Sequence, residues 1–111
     1  MKRNFLILTL AFALFACNEE RNQAETVEIN VPTLQCDKCI AHVEAALKSV
    51  AGVSTTAVNL QTKIARVGFD PAKTNLAALE QAITQAGYDA NTTSRSLDAY
   101  AALESCCKLP E

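Results

Sequence analysis

The residues Leu34-Gln35-Cys36-Asp37-Lys38-Cys39 set two thiols three positions apart, directly ahead of the helical-looking run Ile40 to Val50. At a strand-to-helix junction, thiols so spaced can point at one ion, with Cys36 in the loop and Cys39 in the first helical turn. The partial positive charge of a helix N-terminus favours thiolate over thiol. A thiolate pair with little else nearby suits a soft ion held two-coordinate: Cu(I), Ag(I) or Hg(II). The same spacing also fits half a zinc site, a redox disulfide or two unrelated cysteines. His42 lies about one turn beyond Cys39, but Val43 is the core-facing member of that turn, which favours an exposed surface histidine. Lys38 adds positive charge beside the thiols; when exposed this is worth ~1 kcal/mol or less. Glu44, Glu80 and Asp89 read as solvated faces.

A second pair, Cys106-Cys107, stands near the end of the chain. Adjacent cysteines rarely bond to each other, because the small ring strains the peptide between them. They do form a compact two-thiolate group, a secondary metal or thiol site. The alternatives are a disulfide to Cys36 or Cys39 and an inert tail.

These side chains need elements to hold them. Thr26 to Val31 alternates polar and apolar residues, as a half-buried strand does, and Pro32 ends it. Ile40, Val43, Ala46, Leu47 and Val50 then form one apolar helical stripe. Gly52 closes that helix in a left-handed cap. Val53 to Asn59 and Ile64 to Phe69 read as strands joined by a turn at Leu60 to Lys63, and Asp70-Pro71 ends the second. Thr74 is a suitable N-cap for a helix carrying Leu76, Leu79, Ala82, Ile83 and Ala86. Gly87 ends it, and Tyr88 to Thr93 reads as a last strand. The order is β-α-β-β-α-β, the α+β ferredoxin-like plan: a four-stranded antiparallel sheet with two helices on one face. The plan brings the first strand-to-helix loop, the central hairpin and the second helix-to-strand loop to one end, so Cys36, Cys39 and Tyr88 are expected near one another.

Cys36-x-x-Cys39-x-x-x-Val43-Glu44-x-Ala46-Leu47, Phe69-Asp70-Pro71, Ala82-Ile83 and Ala86-Gly87-Tyr88-Asp89-Ala90 together resemble the heavy-metal-associated domain. That family includes bacterial copper chaperones, metal-binding domains of transporting ATPases, periplasmic mercury-binding proteins and the N-terminal domain of mercuric reductase. The resemblance covers about Thr26 to Thr93. It implies the ferredoxin-like fold, binding of one soft ion by Cys36 and Cys39, and transfer to a partner by ligand exchange with no reaction on a substrate. It also implies that Tyr88 lies near the metal loop, packing against it and screening it from water. Thr33-Leu34-Gln35 stands where the family motif has Gly-Met-Thr. Leu34 can take over the methionine's packing in the core, whereas Thr33 for glycine alters the freedom of the loop. Ser105-Cys106-Cys107 is similar to the cysteine pair near the C-terminus of mercuric reductase, which takes the ion from the metal domain.

The flanks point to location. Lys2 and Arg3 precede an apolar run of ~12 residues, Phe5 to Ala16, too short for the ~20 residues of a spanning helix. Leu14 to Cys17 resembles a lipobox, so residues 1–17 are expected to be a signal peptide with Cys17 as the lipidation site. A multi-chain lipid anchor would hold stably to a membrane. Residues 18–25 are polar and read as a flexible tether. Residues 26–93 form the metal domain and 94–111 a C-terminal helical tail, with a helix from about Arg95 to Cys106 that folds back and returns the cysteine pair to the metal end. Without Lys2 and Arg3 the chain keeps eight basic and twelve acidic residues, a charge near −4 with no basic stripe, which disfavours nucleic acid as a partner.

The expected function is an extracytoplasmic, membrane-anchored lipoprotein, in the periplasm or at the cell surface, that is not an enzyme. It would carry Cu(I) or Hg(II) to a metal-transporting membrane protein or other acceptor. The alternatives are a thiol–disulfide redox protein and a structural zinc site using Cys36, Cys39, Cys106 and Cys107. A thioredoxin-type enzyme is disfavoured by the small domain and the lack of tryptophan.

Overall fold

A computed structural model describes residues 24–110. The signal segment, Cys17 and most of the tether lie outside these residues. Strand β1 runs Glu25–Asn30, helix α1 Asp37–Lys48, strand β2 Val53–Asn59, strand β3 Ile64–Phe69 and helix α2 Leu76–Gln85. The tail adds a short helix α3, Leu97–Ala101, and a single 3-10 turn, Ser105–Cys107.

The three strands form an antiparallel sheet in the order β1-β3-β2. Ile29 and Val31 from the first strand region, and Ala65, Val67 and Phe69 from β3, join Val43 and Leu47 of α1 and Leu79 and Ile83 of α2 in one core. Leu34 is fully buried in that core, as its replacement of a methionine requires. Each such aliphatic side chain contributes roughly 1.5–3 kcal/mol on burial.

The expected fourth strand is absent among the described residues; Tyr88 to Thr93 makes one isolated bridge, Ala90 to Thr93. The cause is local. Asn91 adopts a left-handed conformation, with φ 53°, which asparagine tolerates better than most residues and which ends an extended run. Its N–H donates to the Asn30 carbonyl at 2.7 Å, and its Oδ1 accepts from the Asn30 N–H at 2.9 Å. One rung of the missing ladder is thus made, half of it by a side chain, before the chain turns away.

Other boundaries also shift. Asn75, not Thr74, caps α2: its Oδ1 accepts from Ala78 N–H at 2.9 Å. Helix α1 ends at Lys48 with Ser49 as its C-cap, so the left-handed Gly52 belongs to the turn into β2 rather than to the helix cap. Thr33 takes no left-handed conformation, and its hydroxyl accepts from the Asp89 N–H at 3.1 Å; the loop uses the threonine as a tie. Glu80 and Asp89 are not free solvated faces. Glu80 accepts from Asn91 at 2.7 Å and Thr93 at 3.2 Å, and Asp89 pairs with Arg95 at 3.2 Å.

The tail also differs from a continuous helix along the sheet. Leu97 is 73% exposed, and Tyr100 carries Arg95 over its ring at 4.3 Å. The Ser96 N–H donates to the Thr84 carbonyl at 2.9 Å, setting the tail beside the end of α2. Leu103 packs against the core, Cys107 is fully buried in it, and the 3-10 turn lies against α1. The cysteine pair therefore reaches the loop end, by a compact path along the helices.

Candidate metal centre

Cys36 occupies the N-cap position of α1, with extended backbone and a side chain that makes no cap hydrogen bond. Its backbone carbonyl does the local work, accepting from the Cys39 N–H at 3.0 Å and the Ile40 N–H at 3.4 Å. The sulfur is left free and half-buried. Cys39 lies one turn on and fully buried, in line with Val43 and Leu47. Its sulfur stands 3.6 Å from that of Cys36 and accepts from the Gln35 N–H at 3.4 Å. Both thiols face the positive end of the helix. The hairpin contributes Lys63, whose Nζ donates to the Leu34 carbonyl at 2.6 Å and ties down the loop.

The tail brings two more sulfurs. Cys106 Sγ lies 2.8 Å and Cys107 Sγ 3.6 Å from Cys36 Sγ, and 4.0 Å separates the two tail sulfurs. Among the described residues, Cys36, Cys106 and Cys107 are the three metal-ligating side chains whose ligand atoms all fall within 4.8 Å of one another. Cys39 is not a member of that group, so a closed four-thiol zinc cage is not preformed. All four thiols are free.

The Cys106 side chain beside Cys36 holds the Cys36 thiol down to about 7, against partial desolvation. The same contact pushes Cys106 up, so the pair shares a proton with the thiolate on Cys36. Burial pushes Cys107 well up.

Tyr88 is fully buried, and its hydroxyl shares a 2.9 Å hydrogen bond with His42 Nδ1. Burial, with the Cys39 and Cys107 thiols beside it, holds the phenol protonated far above its usual range. The position is fixed by the end of α2. Gly87 N–H donates to Thr84 and Tyr88 N–H to Ile83, the paired bonds of a Schellman cap. Gly87 takes φ 107°, and the next side chain drops onto the cysteine loop.

The fold of this chain is that of known proteins. The profile of the heavy-metal-associated domain matches residues 28–89. The chain belongs to the heavy-metal-associated domain family. Within that family it is 40% identical to a mercuric transport protein periplasmic component of Acinetobacter calcoaceticus, over 79% of this chain and 93% of that protein. It is 47% identical to the protein of the same name from Shewanella putrefaciens, over 58% and 70%. It is also 41% identical to copper-transporting ATPase 2 of Rhizobium meliloti over 61% of this chain, but spans only 8% of that protein's length. Among solved structures, oxidized MerP of Ralstonia metallidurans CH34 superposes with a TM-score of 0.60 at 38% identity, covering 62% of this chain and 96% of MerP. The CopZ metallochaperone does so with 0.58 at 32% identity, covering 60% and 98%. The heavy-metal-associated profile ends at residue 89, before Cys106 and Cys107.

Two residues take roles that sequence reasoning did not give them. His42 is not an exposed surface histidine: it is half-buried, bonds Tyr88, and its Nδ1 stands 3.9 Å from Cys107 Sγ. Its spacing from Cys39, one helical turn, was the available signal. Glu104 receives Lys38 Nζ at 3.2 Å. Lys38 thus pairs with the tail, and Glu104 raises its pKa above the ordinary value; nothing in the local sequence around Glu104 shows that pairing.

Proposed function

We propose that this protein binds one soft ion, Cu(I) or Hg(II), through Cys36 and Cys39 and hands it to an acceptor by thiol ligand exchange. The carrying observation is the pair of free sulfurs 3.6 Å apart at the N-terminal turn of α1, in a chain of the heavy-metal-associated family. In the exchange, an incoming thiolate bonds to the ion as one cysteine sulfur leaves, and the ion keeps its oxidation state. Tyr88 packs beneath the site and limits access of water to Cys39. The acceptor is a metal-transporting membrane protein or another thiol-bearing carrier, a reading supported by relatives named for mercuric and copper transport. The signal-like start of the chain and the relatives named as periplasmic components support an extracytoplasmic place, with a lipid on Cys17 as the membrane anchor. Among the described residues no helix is long and apolar enough to cross a membrane.

The test is metal analysis of protein purified without air, followed by competition with a strong thiol chelator. In a background carrying Cys106→Ser and Cys107→Ser, where only the loop pair is left to bind, Cys36→Ser and Cys39→Ser should each abolish tight binding of one ion while the circular dichroism spectrum is kept. Unchanged affinity in either variant overturns the assignment. A thiol–disulfide redox role is the second reading, favoured by the 2.8 Å approach of Cys36 and Cys106. It requires that the thiols cycle with a disulfide buffer and that no ion survive chelator competition.

A further inference from the structure

The tail cysteines stand too close to Cys36 to be passengers. We propose that Cys36, Cys106 and Cys107 form a three-thiolate, trigonal site for a soft ion, so that the tail converts a two-coordinate carrier into a three-coordinate one. The proposal rests on the metal-binding role of Cys36.

Geometry favours the triangle over the line. With metal–sulfur bonds of about 2.3 Å, as in zinc thiolates, a linear pair needs its sulfurs about 4.6 Å apart and a planar triangle about 4 Å. Cys36 and Cys39 are 3.6 Å apart, short of the linear distance. The edges of the Cys36, Cys106 and Cys107 triangle are 2.8, 3.6 and 4.0 Å. The shortest edge joins the half-buried Cys36 to the exposed Cys106, whose side chain has room to open outward. The Cys39 sulfur already accepts the Gln35 N–H, so it is the less available of the loop pair for a third bond.

The tail is held in place by contacts that do not involve sulfur. Arg95 pairs with Asp89, and Ser96 binds the end of α2. The Tyr100 hydroxyl accepts from the Leu109 N–H at 2.7 Å, and Lys38 bonds Glu104. These contacts bracket Cys106 and Cys107 on both sides. The third and second ligands are thereby brought to Cys36 by folding rather than by the ion. Binding displaces the thiol protons to solvent, and handing the ion on requires the two tail sulfurs to let go. The ion should leave more slowly than from the loop pair alone.

The test uses the full chain with Cys17→Ala, which removes the one remaining thiol, reduced and loaded with one equivalent of Hg(II). X-ray absorption counts the sulfurs. Three are expected in this protein and in a further Cys39→Ser variant. Two are expected after Cys106→Ser, a change at an exposed position that should leave the fold intact. That variant should also release Hg(II) to excess small thiol faster, on the order of tenfold. Two or four sulfurs in the parent protein, or three retained after Cys106→Ser, overturn the trigonal site while leaving the ion-binding function standing. Undiminished affinity in a Cys36→Ser, Cys39→Ser double variant instead removes the function on which the site rests.

Discussion

Cys36 is where the chemistry of this chain concentrates, and its thiol is set by a neighbour 70 positions away. Cys106 holds it at about 7 rather than near 9. The folded state favours the thiolate, so the associated stabilisation is fully present above the unfolded value near 9 and is lost as pH falls through about 7. In metal-free protein, alkylation of Cys36 should accelerate with pH through a midpoint near 7, since the thiolate is the nucleophile. In Cys106→Ser that midpoint should move up towards the ordinary thiol value. Mass-spectrometric rates for the Cys36 peptide across pH give the answer, and an unmoved midpoint would remove Cys106 as the cause. At Tyr88, replacement by Phe keeps the buried ring but strands His42 Nδ1. A loss of about 0.5–1.5 kcal/mol in denaturant unfolding is expected.

The elements were legible to the extent that their signals were local. Both hairpin strands, Val53–Asn59 and Ile64–Phe69, fall where alternation and the Asp70-Pro71 stop put them. Helix α1 extends the apolar stripe back through Cys39. The last strand failed because alternation carries no information on whether Asn91 will take φ 53° and turn the chain. The tail helix stopped at Ala101, because docking against the core, not propensity, decides so short a segment. Gly87 is the element-scale hinge of the site. A Cβ there would meet Leu103 Cδ1 at 3.0 Å and the Ala99 backbone at 3.2 Å, at φ +107°. Gly87→Ala should cost roughly 1–3 kcal/mol from the backbone alone. It should also loosen the tail, read as new protease cleavage after Ser94. Asn75→Ala should cost about 1 kcal/mol through loss of the α2 cap, with the tail and metal site unchanged.

At the scale of the whole molecule, the tail is part of the fold rather than an appendage to it. Cys107 belongs to the core and Leu103 packs against it. Removing residues 94–111 should therefore lower the unfolding free energy by about 2 kcal/mol or more, by exposing the surface they cover. An untouched denaturation midpoint would show the docking to be loose. The proposed anchor makes a direct expectation: Cys17 should carry lipid by mass spectrometry, and Cys17→Ala should abolish that modification. Absence of lipid on the wild-type protein would sink the anchor.

The sequence by itself determined the loop pair, the helix that presents it and the family. Each depends on residues within a few positions of one another: Cys36 and Cys39 on one turn, the stripe through Val43 and Leu47, the Ala86-Gly87-Tyr88 joint. The sequence also pointed the tail pair back to the metal end; tertiary structure alone decided which sulfur meets which and what surrounds them. Cys106 meets Cys36, Glu104 meets Lys38 and His42 meets Tyr88 across 70, 66 and 46 positions. Such pairings follow the path of the backbone between them, here turned at Asn91 and brought back along the helices. That path is set by the sum of packing and hydrogen bonds over the intervening chain, for which no short pattern of residues stands as a sign.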